Sequence, residues 1–349
     1  MAKIGVLLSN LGTPRSPSEE DLREYLDEFL MDPYVVDYPF WLRAIVVRGI
    51  ILRTRPQKSA KAYKKVWTED GSPLMSHSLN LLEKIKSRCP ETPISLGMRY
   101  GEPSLESALR ELMEQGVEKI FLMPLYPQYA LSTTESTRAK VRELIREISS
   151  EESEKIELIG CINDFYADPD YIECLAQSYH DYFKDGRSDE KPEHLLFSFH
   201  GVPVRHVTKT DPSGEHCQKK GACCETPCGA NEICYAHHCT MTSQLVAKKL
   251  GLEPSYYSQA YQSKLGPEKW LEPSTESAFV NLAKKGIQNL AVICPSFVAD
   301  CLETIEEIGM EGEELFLESG GKCFHMIPAL NERDDFASFL ATKIKTIVA

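Results

Sequence analysis

Two side chains draw attention by position. His200 sits in SFHGVP, directly after the apolar run Leu195–Phe199, and the Gly201-Val202-Pro203 that follows makes a tight turn. An imidazole held at a strand end can accept or relay a proton near neutral pH, whereas a lone histidine buried in a core usually only satisfies hydrogen bonds. Glu303 sits in FVADCLETIEEIG. On a helix, Asp300, Glu303 and Glu307 recur at i, i+3 and i+7 and form an acidic row on one face. Such a row is commonly a solvated face near a helix N-terminus. Here Phe297, Val298, Leu302 and Ile305 surround it with apolar side chains, and carboxylates in those surroundings carry protons or attract divalent cations.

A third constellation is denser. HCQKKGACCETPCGANEICYAHHC, His216 to Cys239, holds six of the twelve cysteines and three of the nine histidines. The N-terminus lacks the features of a secretion signal and no apolar run approaches the ~20 residues that span a bilayer, so a cytoplasmic chain is expected. In a reducing compartment thiols stay free unless a metal holds them, which sets a disulfide knot behind a metal site. No C-x2-C pair occurs, which weighs against a zinc ribbon, although thiolates of this number still suit zinc as well as an iron–sulfur cluster. The net charge of −13 leaves no basic excess for nucleic acid.

The elements that position these residues read as alternating strands and helices. Strands are expected at Ile4–Ser9, Ile94–Arg99, Lys119–Pro124, Lys155–Gly160, His194–Phe199, Tyr256–Tyr261, Leu290–Cys294 and Lys322–His325. Helices are expected at Glu135–Glu147, Thr240–Leu250, Glu276–Lys285 and Phe336–Ile347, among others. The pattern predicts an α/β fold with helices on both faces of parallel sheets. It also repeats: SNLGTP parallels SFHGVP, EPSLESAL parallels EPSTESAF, and PLYPQYALST parallels PSFVADCLET, in the same order. This predicts two similar doubly wound halves, 1–165 and 166–349, each with a four-stranded sheet. The first half carries an apolar lip at 29–55, the second the cysteine-rich insertion at 216–239. Leu11 takes the place of His200 in the repeat and Ser132 that of Glu303, so only the second copy has titratable groups at these strand ends, where open parallel sheets bind ligands.

The lip, FLMDPYVVDYPFWLRAIVVRGIILR, mixes aromatic and branched side chains with Arg43, Arg48 and Arg53. Phe40, Trp41, Leu42, Ile45, Val46 and Val47 leave no polar face of useful width. Three readings stand: a buried helix, a membrane-contacting surface, or the mouth of an apolar pocket.

SFHGVP and PSFVADCLETIEEIG, together with MRYGEP, TEDGSP, YPQYALSTT and QSKLGPEKWLEPST, resemble ferrochelatase, collinearly from Ile4 to past Asn331. The resemblance implies two doubly wound halves around a porphyrin cleft and insertion of iron(II) into protoporphyrin IX to give protohaem, the terminal step of haem biosynthesis. It implies His200 and Glu303 as catalytic and Asp300 and Glu307 as a path for metal or protons. The family pattern leaves open whether the histidine takes protons or receives metal; a lone imidazole with no partner ligand is a poor metal site, which favours His200 as proton acceptor. It places Leu11, Tyr63, Ser72, Arg99, Tyr100, Tyr126, Trp270 and Phe297 around the porphyrin. Leu11 together with a long lip favours protoporphyrin over coproporphyrin, and the lip is implied to touch the inner face of the cytoplasmic membrane. The animal arrangement of cluster cysteines is absent, since the last cysteine is Cys323 and the middle position is Leu131. Some bacterial members hold a [2Fe–2S] cluster on one internal segment, and the nest resembles that. Cys217, Cys224, Cys234 and Cys239 are the expected ligands, with Cys223 and Cys228 in reserve because neighbouring cysteines are poor joint ligands. Two rivals make no haem: an iron–sulfur redox protein, which leaves His200, Glu303 and the lip without a task, and a porphyrin- or iron-binding protein that releases its ligand unchanged.

Overall fold

The computed structural model describes residues 3–151, 156–184, 191–219 and 221–349. Among the described residues eight strands are found: β1 (Ile4–Thr13), β2 (Ile94–Gly101), β3 (Lys119–Pro124), β4 (Glu157–Cys161), β5 (His194–His200), β6 (Tyr257–Gln262), β7 (Asn289–Ile293) and β8 (Cys323–Met326). Each expected strand is present within a few residues, and Lys155, the expected start of the fourth, lies outside the described residues. All pairings are parallel, in the orders β2-β1-β3-β4 and β6-β5-β7-β8. The central strands are covered on both faces, which is why VLL in β1 and LAVI in β7 are continuous apolar runs rather than alternating ones.

The chain divides into two compact units, Met1–Tyr126 with Leu131–Asp164 and Glu332–Ala349, and Pro127–Ala130 with Phe165–Asn331. The core of the first gathers Leu7, Ile120 and Leu122 from the sheet with Leu105, Leu109 and Leu112 from the helix Leu105–Glu114 and Val141, Leu144 and Ile148 from the helix Ser136–Glu151. The core of the second gathers Leu196, Leu290 and Val292 with Phe279, Leu282, Ile308 and Phe316.

The division differs from the sequence reading at one end. The last helix, Asp334–Val348, belongs to the first unit rather than to the second half. It packs against the helix Pro73–Arg88, where Arg88 pairs with Asp334 at 2.9 Å and the Cys89 thiol donates to the carbonyl of Ala341. An amphipathic C-terminal helix docks wherever an apolar face is open, and repeat patterning carries no information about which sheet offers one.

The repeat survives in detail. Ser104 and Ser274 cap the helices Leu105–Glu114 and Thr275–Lys284 by accepting from the N–H of Ser107 (3.1 Å) and Ser277 (3.2 Å). A π-helix opens at equivalent places after β3 and β7, Leu131–Glu135 in one unit and Glu303–Gly312 in the other.

The lip is neither one helix nor core throughout. A short helix, Phe40–Val46, runs through a π-turn, Val47–Ile51, into the helix Leu52–Val66. Val47 and Leu52 pack with Leu30 on the inner side. Phe40, Trp41, Ile45 and Ile50 face outward, 66, 64, 57 and 63% exposed. Arg43 turns inward and donates to the carbonyls of Val36 and Tyr38, and Arg48 grips both Asp27 oxygens at 2.8 and 2.9 Å. Among the described residues, no helix is long and apolar enough to cross a membrane.

Candidate active site

In the second unit the candidate residues gather at the carboxyl ends of β5, β6 and β7. His200 ends β5, opposite Gln262 of β6. Its backbone N–H donates to Ser296 Oγ at 3.0 Å and its carbonyl accepts from the Tyr235 hydroxyl at 2.7 Å. Its ring Nδ1 lies 2.6 Å from the carbonyl oxygen of Gly201. A carbonyl can only accept, so Nδ1 carries the hydrogen and Nε2 keeps a lone pair in the neutral ring. Phe297 flanks the imidazole, with centroids 6.2 Å apart.

Gly201 is demanded by close approach. A Cβ there would stand 2.8 Å from the Gln262 carbonyl oxygen and 3.1 Å from the indole of Trp270. The same oxygen accepts from the Gly201 N–H at 2.8 Å, and Pro203 bridges to Trp270, so the turn after His200 is pinned to the segment carrying that indole.

Glu303 and Glu307 lie on the π-helix after β7, whose wider i→i+5 turns keep residues four apart near one another. Glu307 is gripped by one residue: Ser263 donates its N–H to Oε1 at 2.7 Å and its hydroxyl to Oε2 at 2.5 Å. Ser263 reaches both oxygens because its backbone is left-handed, φ +64°, a costly conformation for a non-glycine residue. Burial pushes the Glu307 carboxyl up to about 7; the Ser263 hydroxyl pulls against it and the neighbouring Glu303 adds to it. The Glu303 carbonyl accepts from Gln262 Nε2 at 2.8 Å, which ties the start of the π-helix to β6.

Asp300 does not join these two on a helical face. The helix starts three residues later, and the Asp300 carboxylate accepts from Thr304 Oγ1 (2.9 Å), the Ala329 N–H (3.2 Å) and Asn331 Nδ2 (2.8 Å). It is buried and fastens the loop after β8, so its lone pairs are occupied within the fold.

In the first unit, Leu11 lies near the end of β1, half-buried, its N–H on Asn10 Oδ1. Ser72, buried, accepts from Thr13 Oγ1 at 2.9 Å, and Tyr63 lies edge-on to Trp67. Tyr126 is buried just past β3, and burial pushes its phenol up. Arg99 and Tyr100 form a closed network that residue types did not disclose. Arg99 reaches Asp32 at 2.5 Å and Ser136 Oγ at 2.8 Å, its guanidinium carbon 4.4 Å over the Tyr100 ring. The Tyr100 hydroxyl donates to the same Asp32 oxygen at 2.7 Å and the ring is fully buried. Arg99 is therefore spent on an internal ion pair, and Tyr100 is buried within the same network.

The nest is ordered by ordinary hydrogen bonds. The Asp211 carboxylate accepts from the N–H groups of His216 (2.8 Å) and Cys217 (2.9 Å); Asn231 donates to the carbonyls of Cys223 and Thr226, both at 3.0 Å. His237 Nδ1 meets the Cys224 carbonyl at 2.7 Å. Among the described residues, no three or more His, Cys, Asp or Glu side chains form a ready cage for a metal ion. The thiols instead form two pairs, Cys217 and Cys234 at 3.7 Å and Cys223 and Cys224 at 3.8 Å, with Cys224 also in contact with Cys234. Cys234, at the N-cap of the helix Tyr235–Leu250, is the thiol drawn down, by Cys224 and by the N–H groups of His237 and Ala236. Cys228 lies exposed, 3.6 Å from His216 Nε2. Cys239 is fully buried against the Tyr235 hydroxyl, its thiol pushed up by burial. The neighbouring cysteines expected to compete are thus set side by side, and Cys239 stands apart from the pairs.

Sequence reasoning missed Asp32, Ser263, Ser296 and Tyr235. Ser263 and Ser296 had a signal, since they sit inside QSKLGPEKWLEPST and PSFVADCLETIEEIG, whereas Asp32 in the lip and Tyr235 in the cysteine-rich stretch had nothing to set them apart from their neighbours.

The fold is similar to solved sirohydrochlorin chelatases. SirB from Bacillus subtilis with Fe3+ aligns with a TM-score of 0.54 at 12% identity, over 99% of this chain and 96% of that one. SirB of the subspecies spizizenii in complex with cobalt gives 0.51 at 10% identity, over 98% and 94%. By sequence, the ferrochelatase of Ectopseudomonas mendocina (strain ymp) is 43% identical over 341 residues, 97% of both chains. That of Azotobacter vinelandii (strain DJ / ATCC BAA-1303) is 42% identical over 347 residues, 99% of both. The family model described as Ferrochelatase matches residues 3–347, and with these relatives it shows that the chain belongs to the ferrochelatase family.

Proposed function

We infer that His200 is the proton acceptor of a porphyrin metal chelatase and that Glu303 and Glu307 carry charge to it. The family activity, insertion of iron(II) into protoporphyrin in haem synthesis, requires a free-base ring to lose two pyrrole protons while a hydrated cation sheds water. The observation that carries this reading is the 2.6 Å contact of His200 Nδ1 with Gly201 O. It leaves Nε2 as a base in the neutral ring. A carboxyl titrating near neutrality suits Glu307 to taking up and passing on a proton. Asp300 serves this path by anchoring the start of the π-helix.

In this reading Trp270 and Phe297 contact porphyrin beside His200 in the second unit, Leu11, Tyr63, Ser72 and Tyr126 are the porphyrin-contacting residues of the first unit, and Arg99 and Tyr100 act by bracing the packing around them. The exposed quartet Phe40, Trp41, Ile45 and Ile50 supports a membrane-contacting lip on a cytoplasmic protein, where an apolar substrate is exchanged with lipid.

The thiol pairs fit a [2Fe–2S] cluster, in which each iron takes two thiolates. Cys217, Cys234, Cys223 and Cys224 would hold it, with Cys223 in place of Cys239. When bound it would cross-link the loop to the helix Tyr235–Leu250 and supply a one-electron centre; proton removal falls to His200.

Anaerobic incubation of the purified protein with protoporphyrin and iron(II) tests the activity, haem being read at its visible bands. Wild type should make haem and His200→Ala should make none while still quenching porphyrin fluorescence on binding. Turnover by the variant near that of wild type refutes the base assignment.

A further inference from the structure

We propose that Tyr235 is a positioning residue that couples the thiol nest to His200. This rests on His200 being the proton acceptor.

The peptide unit between His200 and Gly201 is held from two sides. Tyr235 donates its hydroxyl to the His200 carbonyl at 2.7 Å, and the Gly201 N–H donates to Gln262 O at 2.8 Å. The next carbonyl, that of Gly201, accepts the Nδ1 hydrogen and thereby selects the tautomer. Freeing the Tyr235 side leaves the plane of this peptide held at one end, and Gly201 O is then free to move from beneath Nδ1. The ring would populate the other tautomer, whose Nε2 carries a hydrogen and accepts no proton.

Tyr235 is also part of the nest. It follows Cys234, the N-cap thiol paired with Cys217, and its hydroxyl touches the Cys239 thiol and Ser296, the residue that takes the His200 N–H. The ring is buried, so a displacement of Cys234 moves it as a body. Rearranging the thiols thus shifts the hydroxyl that holds His200, although no nest side chain takes part in the chemistry.

The test uses Tyr235→Phe, which deletes the hydroxyl and keeps the ring. In 15N-histidine-labelled protein the His200 signals, identified by their absence in His200→Ala, should report one tautomer in wild type and a mixture in Tyr235→Phe. kcat should fall about tenfold with porphyrin KM within about twofold, the mark of a lost orienting hydrogen bond rather than lost binding. Cys234→Ser should lower kcat in the wild-type background and add nothing further in Tyr235→Phe, because both act through one contact. A single tautomer with unchanged kcat, or additive losses in the double variant, overturns the proposal. If Tyr235→Phe does not fold, Ser296→Ala must produce the same mixture, and one tautomer there overturns it too. Should wild type make no haem, the functional reading fails, while the nitrogen spectra still decide the role of Tyr235.

Discussion

Replacing Glu307 by Gln should stabilise the protein, and increasingly so as pH rises. The Glu307 carboxyl titrates near 7 in the fold against an ordinary 4.5 because burial disfavours its charge. A folded-state value above the unfolded one means that the fold binds this proton more tightly. Stability therefore falls as pH climbs from about 4.5 through about 7 and levels off beyond. The displacement, at ~1.36 kcal/mol per pH unit, caps the effect at about 3 kcal/mol. Between about pH 5 and about pH 8 roughly 2.5 kcal/mol of it develops. Gln keeps an oxygen for the Ser263 donors and carries no charge, so the penalty vanishes. For a unit of this size that is roughly 5 to 10 °C. Thermal unfolding of wild type and Glu307→Gln at a series of pH values should show curves that diverge above about pH 5, with the variant higher. Haem formation should fall in the same variant, since an amide carries no proton. Parallel curves, or a variant that loses stability as pH rises, would refute the claim that Glu307 is a carboxyl held protonated by burial.

Three further outcomes are expected. Asp32→Asn breaks a buried pair, 1% exposed on the carboxylate side and 11% on the Arg99 side, and should cost about 3–5 kcal/mol in chemical denaturation by stranding the guanidinium; a loss under about 1 kcal/mol would show the network to be incidental. Replacing Phe40, Trp41 and Ile45 together by serine should abolish co-sedimentation with liposomes and raise porphyrin KM with kcat little changed, and wild type that fails to sediment removes the membrane reading. Anaerobic preparations should contain about two irons and two labile sulfides per chain; Cys223→Ser should bleach them and Cys239→Ser should not, and stoichiometric zinc without sulfide would exclude the cluster.

What the sequence determined by itself is what short-range pattern encodes. The β-branched and leucine runs of β1, β3, β5 and β7 could be read in place because doubly covered strands are apolar along their length. Self-similarity announced two units of one topology, and the different residues at Leu11 and His200, and at Ser132 and Glu303, marked the copy that has titratable groups at its strand ends. The apolar character of the lip was equally plain, but not which side of it faces out.

The tertiary structure alone decided the rest, since those contacts join residues that sequence separates. Asp32 meets Arg99 across 67 positions, Ser263 meets Glu307 across 44, Tyr235 meets His200 across 35 and Ser296 meets His200 across 96. Asp300 lost its place in the acidic row because a loop 31 residues on claimed its oxygens before the helix began. Cys217 was set beside Cys234, 17 positions away, in a loop that Asp211 and Asn231 tie together, which no spacing rule records. Periodicity reports which face of an element is buried, whereas the partner of a polar side chain depends on which elements the topology makes neighbours, and a polar group removed from water takes the partner it finds there.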